Sequence, residues 1–251
     1  MFSGDIKQFM DEMTDRFERT DFIEADPISI PHQFNLKEDI EISGFLSASI
    51  AWGQRITIVK NAGRMMQIMG NSPYDFVMDA NPSQLERCSA FVHRTFNGSD
   101  FRGVLLALRK IYSEDGGLEG VLSGEGTAFE RIALLHRIFE MHLQERRTLK
   151  HISDPVSGSA AKRLNMFLRW MVRSNKRKVD FGIWKNTSAA DLICPLDVHT
   201  GNVGRKLGLL QRTQNDWLAA EELTQSLREF DALDPVKYDF ALFGLGVIDH
   251  F

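Results

Sequence analysis

Gly158-Ser-Ala-Ala-Lys162-Arg-Leu-Asn-Met-Phe-Leu-Arg-Trp-Met-Val172 and, further on, Pro195-Leu-Asp197-Val-His199 are the two runs on which the reading of this chain turns. Each opens an amphipathic stretch. Gly158 tolerates positive φ and bares backbone N–H groups where a helix begins, and free amides together with the helix dipole favour an anion there. With a helix expected over Phe129–Arg147 before it and another over Ser159–Arg173 after it, the glycine turn reads as a helix–hairpin–helix.

The charge around these runs has the same sense. From Glu145 to Arg212 there are 14 Lys/Arg against 5 Asp/Glu, although the whole chain carries −4. A basic block inside an acidic chain is the footprint of a surface that meets phosphate, or else of a solvated face. With 251 residues, 43% of them hydrophobic, the chain can bury the core of one large domain or two small ones. Its 25% charged and 10% aromatic residues exclude a disordered chain. No uncharged apolar run reaches the roughly 18 residues needed to span a bilayer. The opening MFSGDIKQFMDEMTDRFERT is acidic and lacks the apolar centre of a signal peptide. A cytoplasmic monomer without membrane contact is expected, its protein partners left open. The two cysteines, Cys88 and Cys194, read as packed thiols; they are too few for a four-cysteine cluster and no zinc spacing occurs. Neither metal nor cofactor is expected.

Apolar residues recur at helical spacing almost throughout. Ile6, Phe9, Met10, Met13 and Phe17 form one stripe, and Asp26 to Pro31 interrupts the chain. Ile40–Trp52 reads as a nearly all-apolar central helix, and Ile56–Met69 as a second that stops at Gly70-Asn-Ser-Pro73. Shorter helices are expected over Pro73–Met78, Pro82–His93 and Asp100–Tyr112. Ser113–Gly126, with five glycines, reads as a surface loop. Asn215–Phe230 is amphipathic, and Asp234-Pro235 reads as an N-cap and first-turn proline for a last helix to Leu245. The architecture is all-α with two lobes and a cleft between them, and 129–209 is its functional segment, flanked by the remaining helices in 1–128 and 210–251.

Three residues suggest chemistry. Lys162 lies in the first turn of its helix, against the dipole, where neighbouring charge and partial burial can tune an amine toward nucleophilicity. Most lysines are simply solvated. Asp197 has the position of a helix N-cap, which explains it structurally, yet a carboxylate there can also stabilise a developing cation. His199 reads as a helix histidine or as part of a site.

At these residues the chain resembles the helix–hairpin–helix DNA glycosylases, and among them the archaeal-type 8-oxoguanine DNA glycosylase/AP lyases. Gly158 corresponds to the first glycine of their Gly-x-Gly-x-Lys hairpin, Lys162 to its lysine, and Phe167-Leu168-Arg169 to a trio further along the helix. Leu196-Asp197-Val198-His199 is similar to the Val-Asp-Thr-His run of endonuclease III relatives. Phe45-Leu46-Ser47-Ala48 looks like the start of their early core helix. Over nearly its whole length the chain also resembles a bacterial family of conserved proteins without assigned activity, through Ser159–Arg173, Pro195–His199 and Asp234–Gly244.

The glycosylase resemblance implies a base-excision enzyme acting on damaged or abasic double-stranded DNA, with an oxidised purine as one candidate base. Lys162 would be the Schiff-base nucleophile and Asp197 the catalytic carboxylate. Gly158, Ser159, Ala160, Arg163, Arg169 and Arg205 would hold the DNA backbone. Gln54 and Arg55 would lie toward the DNA, and Trp52, Gln54, Trp170, Trp184 and His199 would wall the base pocket. The chain departs from that pattern in two ways. Ala160 replaces the second hairpin glycine, and 35 positions separate Lys162 from Asp197. The extra length, Ser174–Asp191, either contacts DNA or rebuilds the pocket. The alternatives to catalysis are a nucleic-acid-binding protein that keeps the hairpin, and a helical module that docks an acidic protein.

Overall fold

Two amphipathic helices, α1 (Ser3–Phe17) and α2 (Asp21–Glu24), open the computed structural model, which describes residues 3–251. Helices dominate the remainder of the chain, and the only sheet among the described residues is a two-stranded hairpin, so the fold is all-α. No helix among the described residues is long and apolar enough to cross a membrane. The chain divides into two compact units. One is Glu24–Ser153; the other joins the described residues up to Ile23 to Asp154–Phe251. The divisions fall beside Ile23 and Ser153.

The continuous unit is organised around α3 (Lys37–Ser49), whose residues from Ile40 to Ser49 are all buried. Apart from serines, Glu41 is the one polar side chain in that buried stretch and accepts the Tyr112 hydroxyl at 2.6 Å, and Phe45 stacks on Phe139 with ring centroids 5.6 Å apart. α4 (Arg55–Ile68) ends where Asn71 N–H reaches back to the Met66 carbonyl at 2.9 Å, the closure expected of Gly70-Asn71. α5 (Pro73–Asp79), α6 (Pro82–Glu86), α7 (Gly98–Glu114), α8 (Gly117–Leu122) and α9 (Ala128–His142) complete the unit. α6, α7 and α9 each start with a reciprocal capping box, Asn81/Gln84, Asn97/Asp100 and Thr127/Glu130.

Two sequence expectations fail here. The glycine-rich loop over Ser113–Gly126 contains α8, because Leu118, Val121 and Leu122 share one face and are buried. The helix expected over Pro82–His93 stops at Glu86. A 3-10 turn over Arg87–Ala90 then leads into the hairpin of β1 (Val92–His93) and β2 (Phe96–Asn97), which tucks Phe91 and Phe96 against each other.

In the discontinuous unit, α10 (Lys162–Val172), α11 (Val198–Lys206), α12 (Trp217–Phe230) and α13 (Asp239–Val247) gather with α1. α13 is apolar on nearly all sides and packs against both α1 and α11. Gly244 makes the α1 approach possible: a Cβ there would stand 2.3 Å from the Phe17 ring. The last helix begins later than its Asp-Pro signal. Pro235–Tyr238 is a 3-10 turn, and the Asp234 carboxylate caps nothing because it accepts from Arg173 Nε at 2.9 and 3.0 Å.

The Gly244–Phe17 contact carries a stability consequence. Gly244→Ala forces an overpacked core and is expected to cost about 1–3 kcal/mol, read from the midpoint of urea unfolding followed by circular dichroism. A midpoint equal to that of the wild type would show that the helices accommodate the methyl group.

Candidate functional site

Lys162 is the first residue of α10, and the turn before it is closed on itself. The Asp154 carboxylate accepts Val156 N–H at 2.9 Å and the Ser157 hydroxyl, and Gly158 takes φ +86°, where a side chain would be strained. Gly158 N–H donates to Pro155 O at 2.9 Å, and Ser159 N–H to Asp154 O at 3.2 Å. The Gly158 carbonyl accepts Trp217 N–H at 3.1 Å, and Ser159 pairs with Asp216 in an isolated bridge. The Gly158 and Ser159 amides, expected with Ala160 to hold a phosphate, are thus spent inside the turn. Ala160 is buried and its carbonyl accepts from Asn165 Nδ2 at 3.0 Å. Ala161 caps the helix with left-handed backbone, φ +46°. Of the two helices expected to flank the turn, α9 lies in the continuous unit and ends at His142, where Phe129–Arg147 was expected, and a 3-10 helix covers Arg146–His151.

The segment between Lys162 and Asp197 folds back along α10. Phe181 N–H donates to Trp170 O at 2.8 Å and Trp184 N–H to Met171 O at 3.0 Å, satisfying carbonyls that the helix end leaves open. Val179 and Trp184 are buried. Further on, Arg228 donates to the carbonyls of Ala190 and Leu192, and Cys194 N–H donates to Thr224 Oγ1, so α12 anchors the approach to Asp197.

Asp197 divides its carboxylate between two tasks. Oδ1 caps α11 by accepting Thr200 N–H at 3.0 Å, and Oδ2 stands 3.7 Å from Lys162 Nζ. Both side chains are about a quarter exposed, at 26% and 28%. An amine and a carboxylate separated by 35 positions therefore share a half-buried spot, where partial burial strengthens their interaction.

Behind this pair lies a buried ionic cluster. Arg169 meets Asp239 through Nη1 and Asp180 through Nε at 3.3 Å, and its guanidinium lies over the Phe240 ring at 4.2 Å. Arg173 meets Glu18, Asp180 at 2.9 Å and Asp234 at 2.9 Å. Burial works against the Arg173 cation, but the hydrogen bond with Glu18 and the nearby carboxylates hold its pKa above the ordinary value. Burial pushes Asp239 up to about 6 against the pull of Arg169 and Lys162.

The cluster takes up one expected site residue, and the others lie elsewhere. Arg169 is 4% exposed and its charge is engaged internally, so it is no phosphate contact. Arg205 donates to the carbonyls of Arg212 and Thr213 at 2.8 and 3.0 Å and to Asn215 Oδ1 at 2.6 Å, which makes it the clamp of the loop after α11. Arg163 is half-buried, and burial pulls its guanidinium down to about 10. Trp170 and Trp184 are core residues, 0% and 1% exposed, with Trp184 edge-on to Phe167. Val198 is exposed, and so is His199, whose Cβ lies close to Gly246. Trp52 and Gln54 belong to the other unit. There Trp52 stacks on His151 at 5.7 Å and meets His93 edge-on, and Gln54 is exposed at the start of α4.

Asp180 and Asp239 went unread in the sequence. Asp239 carried a usable signal as the one carboxylate within Tyr238-Asp239-Phe240-Ala241-Leu242-Phe243, an otherwise uncharged run. The clamp role of Arg205 has its own consequence. Arg205→Ala strips donors from several carbonyls and is expected to cost about 1–3 kcal/mol of stability, measured by chemical denaturation. Unchanged stability would contradict the clamp.

Residues 26–248 match the model of the family described as Protein of unknown function (DUF2400), and the chain belongs to that family. Comparison with curated proteins and with solved structures finds no match.

Proposed function

We propose that the protein is a DNA base-excision glycosylase with AP lyase activity. One observation carries the reading: the Lys162 amine and the Asp197 carboxylate stand 3.7 Å apart in a half-buried spot. They are the two residues that the glycosylase resemblance assigns to chemistry, and nothing in their spacing along the chain required them to meet. The capping bond to Thr200 N–H fixes Asp197 in place and leaves its second oxygen for the lysine.

The damaged nucleotide is flipped out of the duplex, since its reacting carbon is out of reach within the stack. Asp197 takes a proton from the Lys162 ammonium, and the freed amine forms a bond to C1′ while the bond from C1′ to the base breaks and the base leaves with the electron pair and that proton. Asp197 stabilises the cationic sugar as this occurs and accepts a proton released from nitrogen. Opening of the sugar ring gives the Schiff base. Loss of a C2′ proton then breaks the C3′–O bond, which is the lyase step. Exposed Lys176 and Lys178 would attract the DNA backbone without reading its sequence.

Borohydride trapping on duplex DNA carrying 8-oxoguanine or an abasic site tests this. The wild-type protein forms a covalent adduct, Lys162→Gln forms none, and Asp197→Asn slows trapping on the order of a hundredfold. DNA binding without any adduct would sink the catalytic reading and leave a nucleic-acid-binding protein. Failure to bind nucleic acid even at low salt would leave the helical interaction module.

A further inference from the structure

The segment that follows α10 encloses a cavity of about 620 Å³, within the range of roughly 300–1,000 Å³ typical of small-molecule sites. Backbone bonds set its shape. The Phe181 and Gly182 N–H groups both reach the Trp170 carbonyl, and Trp184 N–H reaches the Met171 carbonyl, so the returning chain lies against the end of α10. Gly182 permits that approach: its φ is +58°, and a Cβ there would stand 2.8 Å from the Arg173 carbonyl oxygen. Ser188 Oγ then accepts Ala190 N–H at 3.2 Å and caps the short 3-10 turn over Ala189–Asp191. Walls tied down in this way are in place before a ligand arrives, which lowers the cost of binding one.

The polar part of the lining is basic. Ser174, Asn175 and Lys176 come from the turn after α10, and Lys185 and Ser188 from the returning chain. None of the lining residues is acidic. Lys185 Nζ donates to the Gly182 carbonyl, which anchors the ammonium at the wall and leaves its other N–H groups for a ligand. Two lysines, hydroxyls and an amide without a carboxylate suit a phosphate. A bare phosphate would leave the apolar part of the lining untouched, namely Phe181, Trp184 and Leu233, the last of them 80% exposed. A ligand with an apolar body covers that surface and gains from removing it from water. We propose that the cavity binds a phosphate carrying a flat apolar body, as a nucleotide does, with Lys176 and Lys185 holding the phosphate. Lys162 and Asp197 take no part in it, so the proposal goes beyond the base-excision reading and stands or falls without it.

Calorimetric titration of the whole protein with adenosine monophosphate, adenosine and inorganic phosphate tests this. The monophosphate is expected to bind with a dissociation constant of about 1 mM or tighter, and adenosine and phosphate each about tenfold more weakly or worse. Lys176→Gln and Lys185→Gln each weaken the monophosphate by about tenfold or more. Lys206→Gln, outside the lining, leaves its binding unchanged. In the wild-type protein the monophosphate also shields Lys176 and Lys185, but not Lys206, from acetylation read by mass spectrometry, which locates the site even where a variant fails to fold. The proposal is overturned by absent binding of the monophosphate, by equal binding of adenosine or phosphate, by an equal loss in Lys206→Gln, or by acetylation of the two lining lysines that the monophosphate does not slow. Displacement of the bound monophosphate by a short single-stranded oligoadenylate at lower concentration assigns the phosphate to a strand; a monophosphate left in place assigns it to a free nucleotide. No arm contains damaged DNA, so failure here and failure of the base-excision reading are seen separately.

Discussion

Two arginines, Arg169 and Arg173, hold the discontinuous unit together. Each guanidinium is almost wholly withdrawn from water and surrounded by carboxylates from other parts of the chain, namely Glu18, Asp180, Asp234 and Asp239. Removing such charges from water costs several kcal/mol per ion, and only complete pairing repays it. An apolar core accepts many repackings; a buried ionic cluster accepts few, since each alternative strands a charge. The arginines therefore dictate which side of α10 faces inward, where the end of α1 docks, how the segment after α10 returns, and why Asp234 cannot cap the last helix.

The Lys162–Asp197 pair is a product of that frame. The segment between them is long, but its length is absorbed by backbone bonds to the final carbonyls of α10 and by burial of Trp184. What reads in sequence as an insertion that stretches a site is, in three dimensions, the connection that returns the aspartate to the lysine. Asp197 then needs no special device to be held, since capping α11 already fixes one of its oxygens.

Local physics was the legible part of this sequence. Helical periodicity, the stop at Gly70-Asn71 and the buried character of α3 follow from neighbours within a few residues, and the structure contains all three. The failures share one cause. Leu118, Val121 and Leu122 turn a glycine-rich loop into a helix because a core waits for them. In the basic block between Glu145 and Arg212 the sequence did not tell which charges already have tertiary partners. Arg169, Arg173, Arg177 and Arg212 are each paired with acidic residues, most of them outside the block, and Arg205 is spent on backbone carbonyls. Counting charge along a chain cannot distinguish a guanidinium awaiting a phosphate from one already bound to an aspartate. The Lys162–Asp197 meeting came from resemblance to a family, not from spacing.

The split composition of the discontinuous unit bears on the order in which the molecule can be made. Glu18 and Arg173 are partners 155 positions apart, and Arg16 and Asp249 are 233 apart. During synthesis α1 emerges long before the residues that neutralise and cover it, whereas Glu24–Ser153 has its contacts in one unbroken stretch. Contacts so distant in sequence form slowly, because a long loop must close before they return any stabilisation. On a ribosome the continuous unit can therefore fold first, with α1 held as an unfinished edge. The ionic cluster that orders the candidate site is then the last part of the protein to come into being.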